Sequence, residues 1–127
     1  MAKSKFVDGF VFSIPQTNIE AYRKIASKAG KIWIEHGALE YYECVGSDMA
    51  FDFGISFPKL TKAKPEDTVI FAWIGFKSRS HRDKVNAKVM ADPRLHGMMD
   101  PNKPLFNMKR MSYGGFETIV AIQGGAK

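Results

Sequence analysis

The sequence predicts an α+β fold, with a four-stranded antiparallel sheet that carries two helices on one face. Alternating strand patterns and helix-period patterns follow one another in the order β-α-β-β-α-β. Right-handed crossovers then place both helices on the same side of the sheet. This is the split-βαβ, or ferredoxin-like, arrangement. A chain of 127 residues suffices for one such domain, predicted to span 1–127.

The first strand and the first helix have clear boundaries. Lys5–Ile14 alternates, with Phe6, Phe10, Phe12 and Ile14 on one face and valines on the other. Thr17 and Glu20 have the spacing of a capping box, which predicts a helix from about Asn18 to His36. Gly37 is expected to end that helix in the left-handed conformation.

The second strand is predicted at Leu39–Val45, with Leu39, Tyr41 and Val45 on one face. The connection that follows, 46–67, is long for a compact domain and is interpreted as an inserted arm. Apolar residues alternate from Met49 to Phe57, as in a strand. We expect the arm to pack on its own domain or on a partner; the alternative is a lid over a cleft.

Thr68–Phe76 reads as a buried third strand that feeds a second helix. Ser78 or Ser80 is expected to cap this helix, which stops at Asp92-Pro93. Its inward residues are predicted to be Val85, Val89 and Met90. Met108–Ile122 reads as the fourth strand, and its internal Gly114-Gly115 suggests a bulge or the close approach of another group.

Composition narrows the possible partners. The net charge is +6, but the basic residues are spread along helix faces, which favours a solvated surface over a nucleic-acid site. No apolar stretch is long enough for a membrane span, so no membrane partner is predicted. A single cysteine, Cys44, rules out an internal disulfide framework, and a cytoplasmic location follows as the default.

The first and third strands are apolar on both faces, although two helices can cover only one face of the sheet. The other face would leave several aromatic side chains in water, and an exposed patch of that size usually marks an association surface. We therefore predict a symmetric homodimer in which two sheets pack face to face, burying about 800 Å² per partner.

Several blocks of the sequence resemble the YbaA-like family of small uncharacterised bacterial proteins. The resemblance extends from about Phe6 to Val120. It rests on Val7-Asp8-Gly9-Phe10, Ala21-Tyr22-Arg23-Lys24, Glu35-His36-Gly37-Ala38, Glu43-Cys44-Val45-Gly46, Ser78 to Leu95 and Lys109 to Phe116. It implies a dimeric α+β barrel and no particular activity. The wider superfamily includes cofactor-free monooxygenases, haem-degrading enzymes and lactone isomerases, which link to this chain by fold analogy alone.

Four residues are predicted to form a substrate-binding site. Asp8 lies on the aromatic face of strand one and needs a partner; Arg110 on the neighbouring strand four is the expected one. The pair is either a structural ion pair or the polar floor of a cavity, with Tyr113 adding a hydroxyl. The Trp73 side chain either packs in the core or forms part of a pocket wall.

Two functions remain open at this point. The first is to bind, or to oxidise without a metal, a small, largely apolar or anionic molecule in a cavity between sheet and helices. The alternative is a non-enzymatic interaction protein whose aromatic faces serve assembly. No cofactor is predicted, and no pair of histidines has metal-ligand spacing.

Overall fold

The computed structural model describes residues 3–125 and confirms the predicted order of strands and main helices. Four strands pair in one antiparallel sheet in the order β2-β3-β1-β4. The elements in chain order are β1 (Phe6–Pro15), α1 (Ile19–Glu35), β2 (Glu40–Val45), α2 (Phe57–Leu60), β3 (Asp67–Phe76), α3 (Arg79–Met90) and β4 (Ser112–Glu117). This is the ferredoxin-like arrangement.

The core lies between the sheet and the two long helices, α1 and α3. Alternate residues of β1 and β3 point toward these helices and are buried; they are Phe6, Phe12, Ile14, Ile70, Ala72, Ile74 and Phe76. Val85 and Val89 of α3 pack against the same layer, as predicted. Met90, predicted inward, is 53% exposed because it is the last residue of α3 and the helical turn carries it away from Val89.

The two helix starts differ in how well the sequence predicts them. Ser78 caps α3 by accepting a hydrogen bond from the His81 amide. The capping box predicted for α1 is wrong, because a 3-10 turn over Gln16–Asn18 leads into the helix and no side chain caps it. Glu20 instead pairs with Arg23 one turn later. Gly37 has the expected left-handed conformation, with φ +116°.

Strand four is shorter than predicted. A 3-10 turn, capped by the Asn107 side chain, occupies Met108–Arg110, and the strand begins only at Ser112. At the other end, Glu117 pairs with Phe6, which is the first residue of β1. The apolar residues beyond Glu117 therefore have no strand left to pair with, although their composition is strand-like.

The arm, residues 46–67, contains no strand before Asp67, which is the first residue of β3. Its tip, 47–56, is irregular, and its base, 57–64, begins with the single-turn helix α2, capped by Ser56. Ser13 on β1 donates a hydrogen bond to the Thr61 carbonyl, and the ring of Phe57 lies 6.3 Å from that of Phe71. The arm base therefore covers one end of the sheet face that α1 and α3 leave open. We call the remainder of that face the open face.

Within residues 3–125, no helix combines the length and the apolar character that a bilayer crossing requires.

Candidate functional site

Asp8 is held by a residue of α3. It is 1% exposed, and its Oδ1 accepts a hydrogen bond of 2.6 Å from Nη1 of Arg82. The same nitrogen lies 3.3 Å from the Tyr113 hydroxyl, and Nδ2 of Asn86 lies 3.5 Å from the other Asp8 oxygen. The Arg82 guanidinium also lies 4.8 Å from the centre of the Phe6 ring. Asp8 and Tyr113 therefore meet at the same guanidinium nitrogen, and their role in binding a substrate stays a prediction.

The predicted pairing of Asp8 with Arg110 is wrong. Arg110 lies on the 3-10 turn before β4, is exposed, and donates to the Lys62 carbonyl in the arm base at 3.3 Å. Asp8 stands opposite Gly115 in the sheet, not opposite a charged residue. A Cβ on Gly115 would lie 3.1 Å from Nη1 of Arg82, so glycine leaves room there for the guanidinium.

The sequence contained a signal for Arg82. On a helix, Arg82, Val85 and Val89 share one face because they are three and four residues apart. A basic residue on a core-facing stripe can reach a buried acid on the sheet below it. The Asp8 side chain is only 2% exposed, whereas that of Arg82 is 14% exposed, so the pair lies at the edge of the core.

A second carboxylate lies on β2 and was not predicted as a site residue. Glu43 accepts hydrogen bonds from two tyrosine hydroxyls, each at 2.8 Å: Tyr22 on α1 bonds Oε1, and Tyr41 bonds Oε2. Strand alternation places Glu43 on the same face as Tyr41 and Val45, toward α1. The signal that could have found it is a carboxylate on the same face of strand two as the apolar residues Leu39 and Val45.

Burial is the largest influence on the protonation of this group, and it raises the pKa of Glu43. The two tyrosine hydrogen bonds act in the opposite direction, since they stabilise the carboxylate. Burial and the nearby Glu43 charge likewise raise the pKa of Tyr22 and Tyr41, so both hydroxyls stay protonated at neutral pH. Glu43 is therefore a carboxyl group that binds a proton more readily than one in water.

The three side chains lie between two cavities. On one side is an open groove of about 740 Å³ between α1 and β2. On the other is a small cavity of about 130 Å³ beneath Trp33 and Met111. Apolar groups form most of the groove wall; they include Ile19, Ala26, Ile34, Val45 and Ile70. The exposed Arg23 and Lys31 also line the groove.

Close contact between α1 and β2 fixes this geometry. A Cβ on Gly30 would lie 2.7 Å from Cδ1 of Tyr41, which is closer than a real Cβ contact allows. Glycine therefore lets the Tyr41 ring lie directly on the helix backbone. That position brings the Tyr41 hydroxyl within reach of Glu43.

Trp73 is half-buried and lies on the open face. Its ring stacks on Tyr42 with centroids 4.9 Å apart and contacts Phe71 at 5.5 Å. Together with Phe57, these rings form a continuous aromatic row across β2, β3 and the arm base. Trp73 also contributes to the lining of the small cavity. Of the four predicted residues, Asp8 and Tyr113 come together, while Trp73 and Arg110 lie elsewhere.

Metal ligation has no obvious basis in residues 3–125, where no three histidine, cysteine, aspartate or glutamate side chains cluster as ligands. The fold and the sites together describe a ferredoxin-like α+β protein with a tyrosine-bonded carboxyl group beside an apolar groove.

Comparison with known proteins identifies the family. Residues 5–107 match the model of a family described as "Protein of unknown function (DUF1428)". The chain is 41% identical over 116 residues to the uncharacterised protein YbaA of Escherichia coli strain K12, covering 91% of this chain and 97% of that protein. YbaA of Shigella flexneri matches to the same extent. The chain therefore belongs to this family, and the resemblance found in the sequence is confirmed.

Solved structures with this fold share little sequence with the chain. The protein Atu4242 from Agrobacterium tumefaciens superposes with a TM-score of 0.56 at 19% identity, covering 88% of this chain and 91% of its own. An uncharacterised NIPSNAP domain protein from Burkholderia xenovorans gives 0.54 at 14%, covering 94% and 99%. At these identities the comparison supports the fold alone.

Proposed function

We propose that the groove between α1 and β2 binds a small, largely apolar molecule whose hydrogen-bond donor or cationic group contacts Glu43. The observation that carries the proposal is the Glu43 carboxyl, bonded by two tyrosines and open to an apolar groove. Sites for small molecules commonly combine apolar walls with a few fixed polar groups.

The chemistry of Glu43 favours some ligands over others. A hydroxyl or ammonium group can donate to the carboxylate, and a cation would also gain from its charge. An anionic group at the same position would meet a like charge, so an anionic ligand would need to place its charge near Arg23 or Lys31. Because burial raises the pKa of Glu43, this carboxyl also suits proton transfer to or from a bound molecule.

Three probes of similar size and different charge test this proposal: hexylamine, 4-propylphenol and hexanoate. The midpoint temperature of thermal unfolding of the full chain should rise with the first two probes and rise less with hexanoate. Ser27→Trp would fill the groove and should abolish the shift, whereas Lys28→Trp, on the same helix but outside the groove, should retain it. Equal shifts in both variants, or no shift with any probe, would contradict the proposal.

We also propose that the open face assembles two copies of the chain into a homodimer. This is supported by the aromatic row, in which Phe71 is 46% and Tyr42 50% exposed, and by Phe116 beside it on β4. Contiguous exposed aromatic surface is typical of an association site. Sedimentation equilibrium should give a dimer at micromolar concentration, and Trp73→Lys should convert it to a monomer. A wild-type protein that stays monomeric at about 100 µM would refute this assembly.

A cytoplasmic location is part of the same proposal. It is supported by Cys44, which is an exposed free thiol and is suited to a reducing compartment. Fractionation of cells that produce the protein tests it.

A further inference from the structure

The arm tip exposes three large apolar side chains, Phe51, Phe53 and Ile55. Phe53 is 81% and Ile55 75% exposed, and Phe51 contacts only the edge of Phe53 among the aromatic rings described. Three large apolar side chains in one ten-residue segment are costly to leave in water. Their own domain does not bury them.

The position of the arm base shows which surface the tip adjoins. α2 lies over one end of the open face, where Phe57 extends the aromatic row by its contact with Phe71. The tip precedes α2 directly in the chain. A second copy that covered the open face would therefore lie beside the exposed tip.

Charge adds a second, independent argument. The tip carries two exposed acids, Asp48 and Asp52, and no basic residue. The arm base carries exposed Lys59 and Lys62, and the guanidinium of Arg110 binds the Lys62 carbonyl. In a two-fold interface a surface meets its own copy, so a segment with one acidic and one basic part is complementary to itself.

We propose that the arm tip is exchanged between the two subunits, so that the acidic apolar tip of one chain packs against the basic arm base of its partner. This inference rests on the proposed homodimer. It assigns Arg110 and Lys62 to recognition of a second copy of this chain. It also explains why the tip is long, apolar and exposed in a single chain.

Two opposite charge reversals, Asp52→Lys and Lys62→Asp, test whether the contact joins different chains. Each variant alone should dimerise at least about tenfold more weakly than the wild type, because like charges meet twice across its two-fold axis. An equimolar mixture should recover near wild-type association, since each tip then meets a base of opposite charge. A contact within one chain would give no such recovery.

Apolar packing is tested separately with Phe53→Ser, and Ile119→Ser serves as the matched control. Both residues are strongly exposed, but Ile119 lies after β4 and outside the arm. Sedimentation should show a dimer dissociation constant raised about tenfold or more by Phe53→Ser and unchanged by Ile119→Ser.

The outcomes separate this inference from the homodimer itself. A wild-type monomer would overturn both. A dimer that Trp73→Lys disrupts, but that mixing the two charge-reversed variants fails to rescue, would leave the homodimer standing and overturn arm exchange. In that case the arm tip could instead cover the groove between α1 and β2 of its own chain. The groove probes would then bind more tightly to Phe53→Ser than to the wild type.

Discussion

The Asp8–Arg82 pair offers the sharpest test of how the core is built. Arg82→Met keeps most of the aliphatic stem that packs near Phe6 but removes the guanidinium. Asp8, which is 1% exposed, would be left with Asn86 as its remaining amide partner at 3.5 Å. Removing one partner of a buried ion pair typically costs about 3–5 kcal/mol.

Urea unfolding at pH 7 measures this loss directly. With a slope of about 1–3 kcal/mol per M, the midpoint should fall by more than about 1 M.

The control is the double variant Asp8→Asn with Arg82→Met. It removes both charges, so it should be more stable at pH 7 than Arg82→Met alone and within about 2 kcal/mol of the wild type. A loss below about 1 kcal/mol for Arg82→Met, or a double variant less stable than the single one, would show that Asp8 has no need of the guanidinium.

Three further predictions concern the groove and the helix ends. Burial raises the pKa of Glu43 above 4.5, so the stability this group contributes is present below that pH and is lost as pH rises through its folded value. Glu43→Gln should therefore flatten the decline of urea midpoints between about pH 4 and about pH 8 relative to the wild type, and an unchanged decline would contradict this. Gly30→Ala should destabilise the fold by about 1–3 kcal/mol, because its Cβ would overlap Tyr41, even though alanine favours helix by about 1 kcal/mol; a more stable variant in the same assay would refute the close contact. Hydrogen bonds from Arg94 and His36 lower the pKa of Asp92 below 3.8, so its contribution is present above that pH and is lost as pH falls through the folded value. Acid unfolding of Asp92→Asn should accordingly show a shallower loss than that of the wild type below about pH 4, and parallel curves would count against these bonds.

The central strands could be predicted because their residues are compatible with few structures other than a buried strand. β1 and β3 are apolar on both faces, and their observed ends fall within one residue of the predicted ones. β4 was overextended because Ile119, Val120 and Ile122 have strand-like composition. A strand can pair only where a neighbouring strand is present, however, and the first residue of β1, Phe6, already lies opposite Glu117. The limit of an edge strand is set by its partner, which local composition does not contain.

The candidate site was predicted only in part for a related reason. Asp8 was found because a carboxylate on an aromatic strand face is unusual, but its partner comes from α3, 74 residues further along the chain. The order of the strands points to a partner on a neighbouring strand, whereas the helix layer supplies Arg82. The alternation of strand two places Glu43 on one face but does not mark it as a site residue. Its environment comes from two tyrosine hydroxyls that only the packing of α1 on β2 brings together.

The buried pair at Asp8 has a consequence for how the strands align. Successive residues of a strand point to opposite faces, so a slip of β1 by one residue against β3 would turn Asp8 toward Phe71 and Trp73 and away from Arg82. An isolated carboxylate among those rings would be strongly unfavourable. The same slip would carry Phe12 and Ile14, which are now fully buried, out of the core. The single charge on the helix-facing side of β1 therefore acts together with hydrophobic burial to select the native register.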